Sequence, residues 1–467
     1  MLIIFLYFKV ESTKKRSSDI TETTYSYSKL ITLALPIMLG NFLQMLYNLA
    51  DTYFLGKIGK EALSAPSISM NLIFFMIVFA FGFSNAGTTL ISQSKGKNDR
   101  RKMDFYLGQM TSLILLIAVL ISIFGIIFTD RILILMHVPP DTFEYTSDYL
   151  RIIFSGIPFM FMSFVLRSSL QGIGDSITPL IVQSITVGLN ILLDPVLIFG
   201  LGPFPAMTVK GAAYATVFAR IVASAIAVII LVRGKKGIRL RLHAMKPDRK
   251  AMKLLLKIGI PASLGQGLSA LGFTVLQGVV NSLGTAVIAA FGVGNRIIGV
   301  FNMPAMGISQ ATAVLVGQQL GARNHAGAWK VVKHSFITVF VFITLGMSIT
   351  FFKGSSVVRF FVNDPEVIKH GVMLFKIVSP SVIFFALFTV STGVLQGAGD
   401  TKPIMIFNII RLWGLRVPIV YLLVAFTTLG AVSIWTGMFV SNLIVSIAGF
   451  VLLSRGRWMY TINPDEI

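Results

Sequence analysis

Leu170-Gln171-Gly172-Ile173-Gly174-Asp175 and Leu395-Gln396-Gly397-Ala398-Gly399-Asp400 differ only at Ile173 against Ala398, and they stand 225 positions apart. The same offset pairs Pro36 with Pro261, Gly59 with Gly284, Gly82 with Gly307, Gln93 with Gln318 and Gly96 with Gly321, without a gap. A shared near-identity at the same place in each half marks an internal duplication. Each half therefore folds as a copy of the other.

What each copy is made of follows from composition. The 467 residues are 55% hydrophobic and 13% charged, with a mean hydropathy of +0.81, where a soluble domain carries roughly a quarter charged residues. A membrane span needs about 20 mainly apolar residues. Runs of that kind predict twelve helices at 29–53, 62–92, 103–128, 146–166, 176–200, 211–232, 252–280, 286–316, 328–352, 367–392, 403–425 and 430–454. The expected fold is an all-α polytopic membrane protein of two six-helix bundles around a central cleft. Six spans per copy give both copies the same orientation, so they are parallel repeats that can rock about the cleft. The domain reading is a tail at 1–28, an N-lobe at 29–233, a linker at 234–250, a C-lobe at 251–455 and a second tail at 456–467.

The formal charge of +21 does not signal a nucleic-acid partner, because the basic residues cluster between apolar runs. Lys95, Lys97, Arg100, Arg101 and Lys102 follow helix two, and Arg233 to Lys250 carries the largest cluster, while Asp130, Asp141, Glu144 and Asp148 follow helix three. The positive-inside rule then puts both termini in the cytoplasm of a cell whose inner (plasma) membrane holds the chain. Met1 to Val10 is apolar, but its basic residues follow it, unlike a signal peptide, and it reads as a disordered or interfacial tail. The chain has no cysteine, which removes thiol chemistry and disulfides. The five histidines show no metal spacing, and no nucleophile triad or phosphate loop stands out, so an enzyme acting on lipid is disfavoured. No repeated polar stripe lines a channel. Secondary transport is the reading preferred, with a non-transporting membrane scaffold as the alternative.

The candidate chemistry is lopsided. Asp51 lies within helix one and its repeat mate is Leu276; Asp194 lies within helix five and, with Pro195 set against Pro418, its mate is Val417. A carboxylate at membrane depth costs about 2.5 kcal/mol or more and faces a cavity or a partner. Low dielectric disfavours the charged form, which suits a group that takes up and releases a proton. Asn190 and Asp194 are four apart on one helix face, and with Asp51 they can hold a proton or, with carbonyls and hydroxyls, a sodium ion. Pro195 frees the Ile191 carbonyl and offers a hinge. Asp175 and Asp400 read as N-caps of helices five and eleven. Arg220, Arg296, Lys376, Arg411 and Arg416 also fall within spans; Arg296 and Arg411 are too deep to snorkel and are expected to bond carbonyls or helix ends. Met160, Phe164 and Gln44 are the candidate lining of a soft cavity for small lipophilic substrates. No cofactor is expected, only the coupling ion, H+ or Na+. Membrane lipid is the expected surrounding, and a monomer suffices because one chain holds both bundles.

These motifs together resemble the multidrug and toxic compound extrusion family. The resemblance covers Leu30 to Arg455 and rests on Leu35-Pro36, the 170–175 motif with Thr178-Pro179, Asn190-Ile191-Leu192-Leu193-Asp194-Pro195, Gly211-Ala212-Ala213-Tyr214-Ala215-Thr216 and Val316-Gly317-Gln318. It implies drug efflux driven by inward proton or sodium movement. The branch typified by DNA-damage-inducible protein F couples in its N-terminal lobe, which implies Asp51, Asn190 and Asp194 here, with Tyr149 and Thr216. A second branch carries a glutamate in helix seven; Ser263 to Leu271 has none. The wider superfamily includes flippases of lipid-linked precursors, the rival within transport.

Overall fold

The structure, a computed structural model, describes residues 26–462. Among them lie twelve membrane-length helical elements and no strand. They are α1 (Tyr27–Gly56), α2 (Lys60–Gly96), α3 (Arg100–Leu135), α4 as two segments (Pro140–Ser155 and Ile157–Gly172), α5 (Ile177–Phe199), α6 (Thr208–Arg233), α7 (Arg249–Ser282), α8 (Thr285–Gly321), α9 (His325–Phe361), α10 (Pro365–Ala398), α11 (Thr401–Phe426) and α12 (Val432–Ser454). The apolar tail at residues 1–10 lies outside the described residues. Most spans run several residues past the sequence reading, because their polar ends continue the helix beyond the apolar stretch. The two segments of α4 meet at 47°. Pro158 sits one residue into the second segment, where its missing N–H costs little and the chain is free to change direction.

The duplication is visible in the backbone. α2 and α8 keep the 225-residue offset at both ends. Asn98 and Arg323, 225 apart, both take a left-handed φ, 59° and 57°. The next residues, Asp99 and Asn324, cap α3 and α9 by accepting from Lys102 N and Gly327 N.

The lobes meet through two mirrored contacts. A Cβ on Gly82 of α2 would overlap Ser263 and the Gly259 carbonyl of α7, and one on Gly307 of α8 would overlap Met38 of α1. Further on, Gly96 and Gly321 each pass so close that a Cβ would overlap the carbonyl of Gln318 or Gln93 respectively. The side chains lock the same crossing: Gln93 Nε2 donates to Gly397 O at 2.9 Å, and Gln318 Nε2 donates to Gly172 O at 3.0 Å. All these contacts lie in the half of the molecule that carries the basic loops. Toward the other end, Gly267 of α7 only grazes Val78 at 3.7 Å, and Gly278, Gly292 and Gly299 meet nothing within 4 Å. The lobes are thus joined at the basic end and parted by a cleft toward the acidic one.

The basic stretch between α6 and α7 is strapped to α3. Asp104 accepts from Arg239 N (2.7 Å) and Arg241 Nε (3.1 Å), and Gln109 donates to Ala244 O and Lys246 O, both at 2.7 Å. Gln109 also accepts from Asp248 N at 2.8 Å. Buried side chains thereby satisfy a loop whose backbone has no ladder of its own.

Candidate functional site

Helix periodicity sorts the faces of α1. Met38 packs on α8, and residues seven, eleven and fourteen further on share that face; Met45, Leu49 and Thr52 are accordingly exposed to the cleft. Tyr47 and Asp51, four apart, point the opposite way, into the N-lobe.

There Asp51 and Tyr47 meet α4, α5 and α6. Asn190 and Asp194 of α5 are fully buried, at 0% exposure. Asn190 Nδ2 donates to Asp194 Oδ1 at 3.3 Å and approaches Thr216 Oγ1 of α6 at 3.4 Å. Thr216 Oγ1 is also 2.9 Å from the Tyr47 hydroxyl. Tyr149 of α4 and Arg220 of α6 stand within electrostatic range of Asp51 and Tyr47. Five side chains marked in the sequence, Asp51, Tyr149, Asn190, Asp194 and Thr216, therefore share one buried cluster. Tyr47 and Arg220 were missed as members. Their signal was the i, i+4 spacing of Tyr47 with Asp51 and of Thr216 with Arg220, which puts each pair on one helix face.

The cluster is short of protons. Asp51 Oδ1, Asn190 Oδ1 and Asp194 Oδ2 are buried acceptors with no hydrogen-bond partner, and Arg220 Nη1 is a buried donor with none. Buried polar atoms are normally paired, because an unmet one costs about 1–3 kcal/mol. Two neighbouring carboxylates also repel in low dielectric. The carboxylate repulsion and part of the acceptor deficit can be relieved by one small cation, a proton between two of the oxygens or an oxygen-liganded ion; neither serves the Arg220 donor. Among the described residues no group of three or more His, Asp and Glu gathers to hold a metal, so an ion here would need the amide and hydroxyl oxygens too.

The other marked residues are spread around this centre. Gln44 is exposed on α1 in a polar chain: Arg167 Nη2 donates to Gln183 Oε1 (2.8 Å), Gln183 Nε2 to Gln44 Oε1 (3.2 Å) and Gln44 Nε2 to Asn48 Oδ1 (3.4 Å). Met160 is buried in the N-lobe apolar core, and Phe164 packs against that core from its edge. α5 runs through Pro195 as one helix.

At the basic end, Asp175 caps α5, accepting from Ile177 N (3.1 Å), Thr178 N (2.9 Å) and Thr178 Oγ1 (2.6 Å). Asp400 departs from the capping expectation, since its carboxylate accepts no α11 backbone N–H and lies instead near Thr461, beyond α12. One of the two backbone donors that Asp175 uses is missing here, because three residues on stands Pro403, which has no N–H to give. Burial pushes the Asp400 carboxyl above its ordinary range. Arg296 also departs from expectation: it is exposed and bonds no carbonyl among the described residues. It lies eleven residues before Gly307, on the α8 face that turns toward α1.

Comparison with known proteins matches this architecture throughout. The family model MatE matches twice, at residues 36–196 and 261–422, one copy for each repeat. The probable multidrug resistance protein NorM of Thermotoga maritima is 29% identical over 431 residues, 92% of each chain. The multidrug export protein MepA of Staphylococcus haemolyticus is 27% identical over 93% of this chain and 94% of its own. A solved structure described as the outward-facing conformation of a multidrug resistance MATE family transporter superposes with a TM-score of 0.85 at 25% identity, over 92% of this chain and 96% of that one. With the duplication, the twelve spans and the two-lobe fold in agreement, the chain belongs to the MatE family, the multidrug and toxic compound extrusion transporters its motifs resemble.

Proposed function

We propose that this protein is a secondary antiporter that exports lipophilic, cationic compounds in exchange for a proton or sodium ion bound in the N-lobe. One observation carries the reading: buried oxygens of Asp51, Asn190 and Asp194 have no hydrogen-bond partner, and Asp51 lies within electrostatic range of Asp194. The relatives' printed names supply the substrate class, multidrug resistance and multidrug export. The basic loops face the cytoplasm by the positive-inside rule, with both termini there, so the cleft opens outward. A monomer in the plasma membrane suffices, because each bundle has its partner in the same chain.

Coupling follows from the cluster's deficit. With the carboxylates unneutralised, the N-lobe presents negative potential that holds a cationic substrate. A proton or sodium ion entering from outside neutralises one of the two carboxylate charges and weakens that hold, so the substrate leaves outward. Pro195, one residue past Asp194, leaves Ile191 O without its helix partner and is the hinge through which occupancy alters α5. Exchange is obligatory only if the cation favours one facing state over the other.

The experiment is counterflow of a fluorescent lipophilic cation in proteoliposomes under an imposed pH or sodium gradient, with wild type beside Asp51→Asn and Asp194→Asn. Transport should follow one gradient and vanish in both variants at normal expression. Indifference to both gradients and both substitutions would overturn N-lobe coupling.

A further inference from the structure

The C-lobe holds the opposite charge. Arg411 and Arg416 of α11 are 4% and 2% exposed. Between Arg249 and Tyr460 the only acids are Asp364, Glu366 and Asp400, and each sits at the start of α10 or α11. No carboxylate can neutralise the pair within the lobe. Arg416 is held by neutral acceptors, Nε to Ser441 Oγ at 2.9 Å and Nη2 to Asn442 Oδ1 at 2.7 Å, and Asn442 is fixed by Ser381 Oγ at 2.9 Å. Arg411 makes no hydrogen bond among the described residues, and its Nε is buried without a partner. It rests on ring faces instead, 4.8 Å from Phe385 and 6.0 Å from both Phe388 and Phe273. Phe273 also covers Arg416, at 5.7 Å.

The backbone brings the two together. Residues 410–416 form a π-helix inside α11, whereas the equivalent stretch of α5 is ordinary α-helix. Side chains five apart on an α-helix point about 140° apart, but the i→i+5 turn of a π-helix stacks them, and such turns concentrate at functional sites. Phe273, the ring that covers both guanidiniums, is itself 47% exposed, and Arg296 stands exposed on α8. A buried arginine with five donors and no acceptor is poised for an oxyanion.

We propose that Arg411 and Arg416 form an oxyanion-binding site beneath Phe273, which takes the carboxylate, sulfonate or phosphate of an amphiphile whose apolar body lies on the aromatic wall. The site stands independently of N-lobe coupling, because it is defined by binding alone. Full-length protein in nanodiscs of zwitterionic lipid, with no gradient, is titrated with 1-pyrenebutyrate beside 1-pyrenebutanol, which shares the apolar body but lacks the charge. Protein-dependent binding of the carboxylate should exceed that of the alcohol at least tenfold. Arg411→Gln should remove that difference, and Arg411→Lys, which keeps the charge, should retain most of it. Displacement by short-chain phosphatidic acid but not inorganic phosphate assigns the site to a lipid headgroup; displacement by both assigns it to oxyanions generally. Equal binding of the two pyrenes, an unchanged Arg411→Gln variant, or displacement by neither phosphate overturns the proposal.

Discussion

Gly321→Ala tests the joint on which rocking depends. The new methyl would overlap the Gln93 carbonyl, well inside the roughly 3.5 Å contact that carbon and oxygen tolerate. The Gln93 atom in the way is backbone, so α2 and α8 must part by about 1 Å or more. That displacement stretches Gln93–Gly397 and Gln318–Gly172, at 2.9 and 3.0 Å, past the limit of a hydrogen bond. Each bond is worth about 1 kcal/mol net, so the state closed at the basic end loses about 2 kcal/mol, a shift of roughly 30-fold in the facing equilibrium. A state open at that end and populated at about 3% would rise to about half. The chain's lack of cysteine permits clean labelling: spin labels on Arg101→Cys and Ala326→Cys, repeat-related exposed positions at the starts of α3 and α9, report the opening by pulsed electron resonance. A second, longer distance should appear in Gly321→Ala. An unchanged distribution in a folded variant would refute the claim that this crossing is the gate.

Four further substitutions have defined outcomes. Thr216→Val removes the hydroxyl shared by Tyr47 and Asn190; at about 1 kcal/mol for a lost hydrogen bond, roughly five times more driving ion should be needed for half-maximal counterflow, and an unshifted curve would remove Thr216 from the site. Asp175→Ala forfeits the α5 cap and should destabilise by about 1–2 kcal/mol, read as a lower unfolding midpoint in detergent, whereas Asp400→Ala removes no cap and should lower it less. Because burial raises the Asp400 carboxyl, the folded chain holds that proton to higher pH than the unfolded chain. Stability from this group is present at low pH and declines as pH rises through the ordinary carboxylate range and above it. Asp400→Asn should flatten that decline in unfolding midpoints measured across a pH series; an unaltered profile would contradict it.

The sequence was most legible where periodicity and duplication speak. Twelve apolar runs and one constant offset give the architecture, and the in-span acids Asp51 and Asp194 point to the buried cluster because a carboxylate at that depth has few other uses. What stayed hidden depends on partners distant along the chain. Asp175 and Asp400 follow the same Gly-x-Gly, yet Thr178 offers an N–H where Pro403 cannot, and Thr461 reaches Asp400 from beyond α12. Tyr47 looks like any interfacial aromatic until Thr216 is set beside it. The π-turn of α11 has no compositional mark, since its residues suit an α-helix equally well; its partners lie far along the chain, on α12, where Arg416 donates to Ser441 and Asn442, and on α7, where Trp413 Nε1 donates to Leu268 O at 2.9 Å.

The crossing of α2 and α8 also constrains how such a chain can change. When the two halves were identical, a single substitution at the ancestor of Gln93 and Gln318, or of Gly96 and Gly321, struck both sides of the joint at once. After duplication each copy still faces its counterpart, so neither can drift without unseating the other. The lobe interiors carry no such mutual debt, and there the copies parted: one keeps buried acids, the other buried arginines. A shared pivot held by symmetry left two chambers free to acquire opposite polarity.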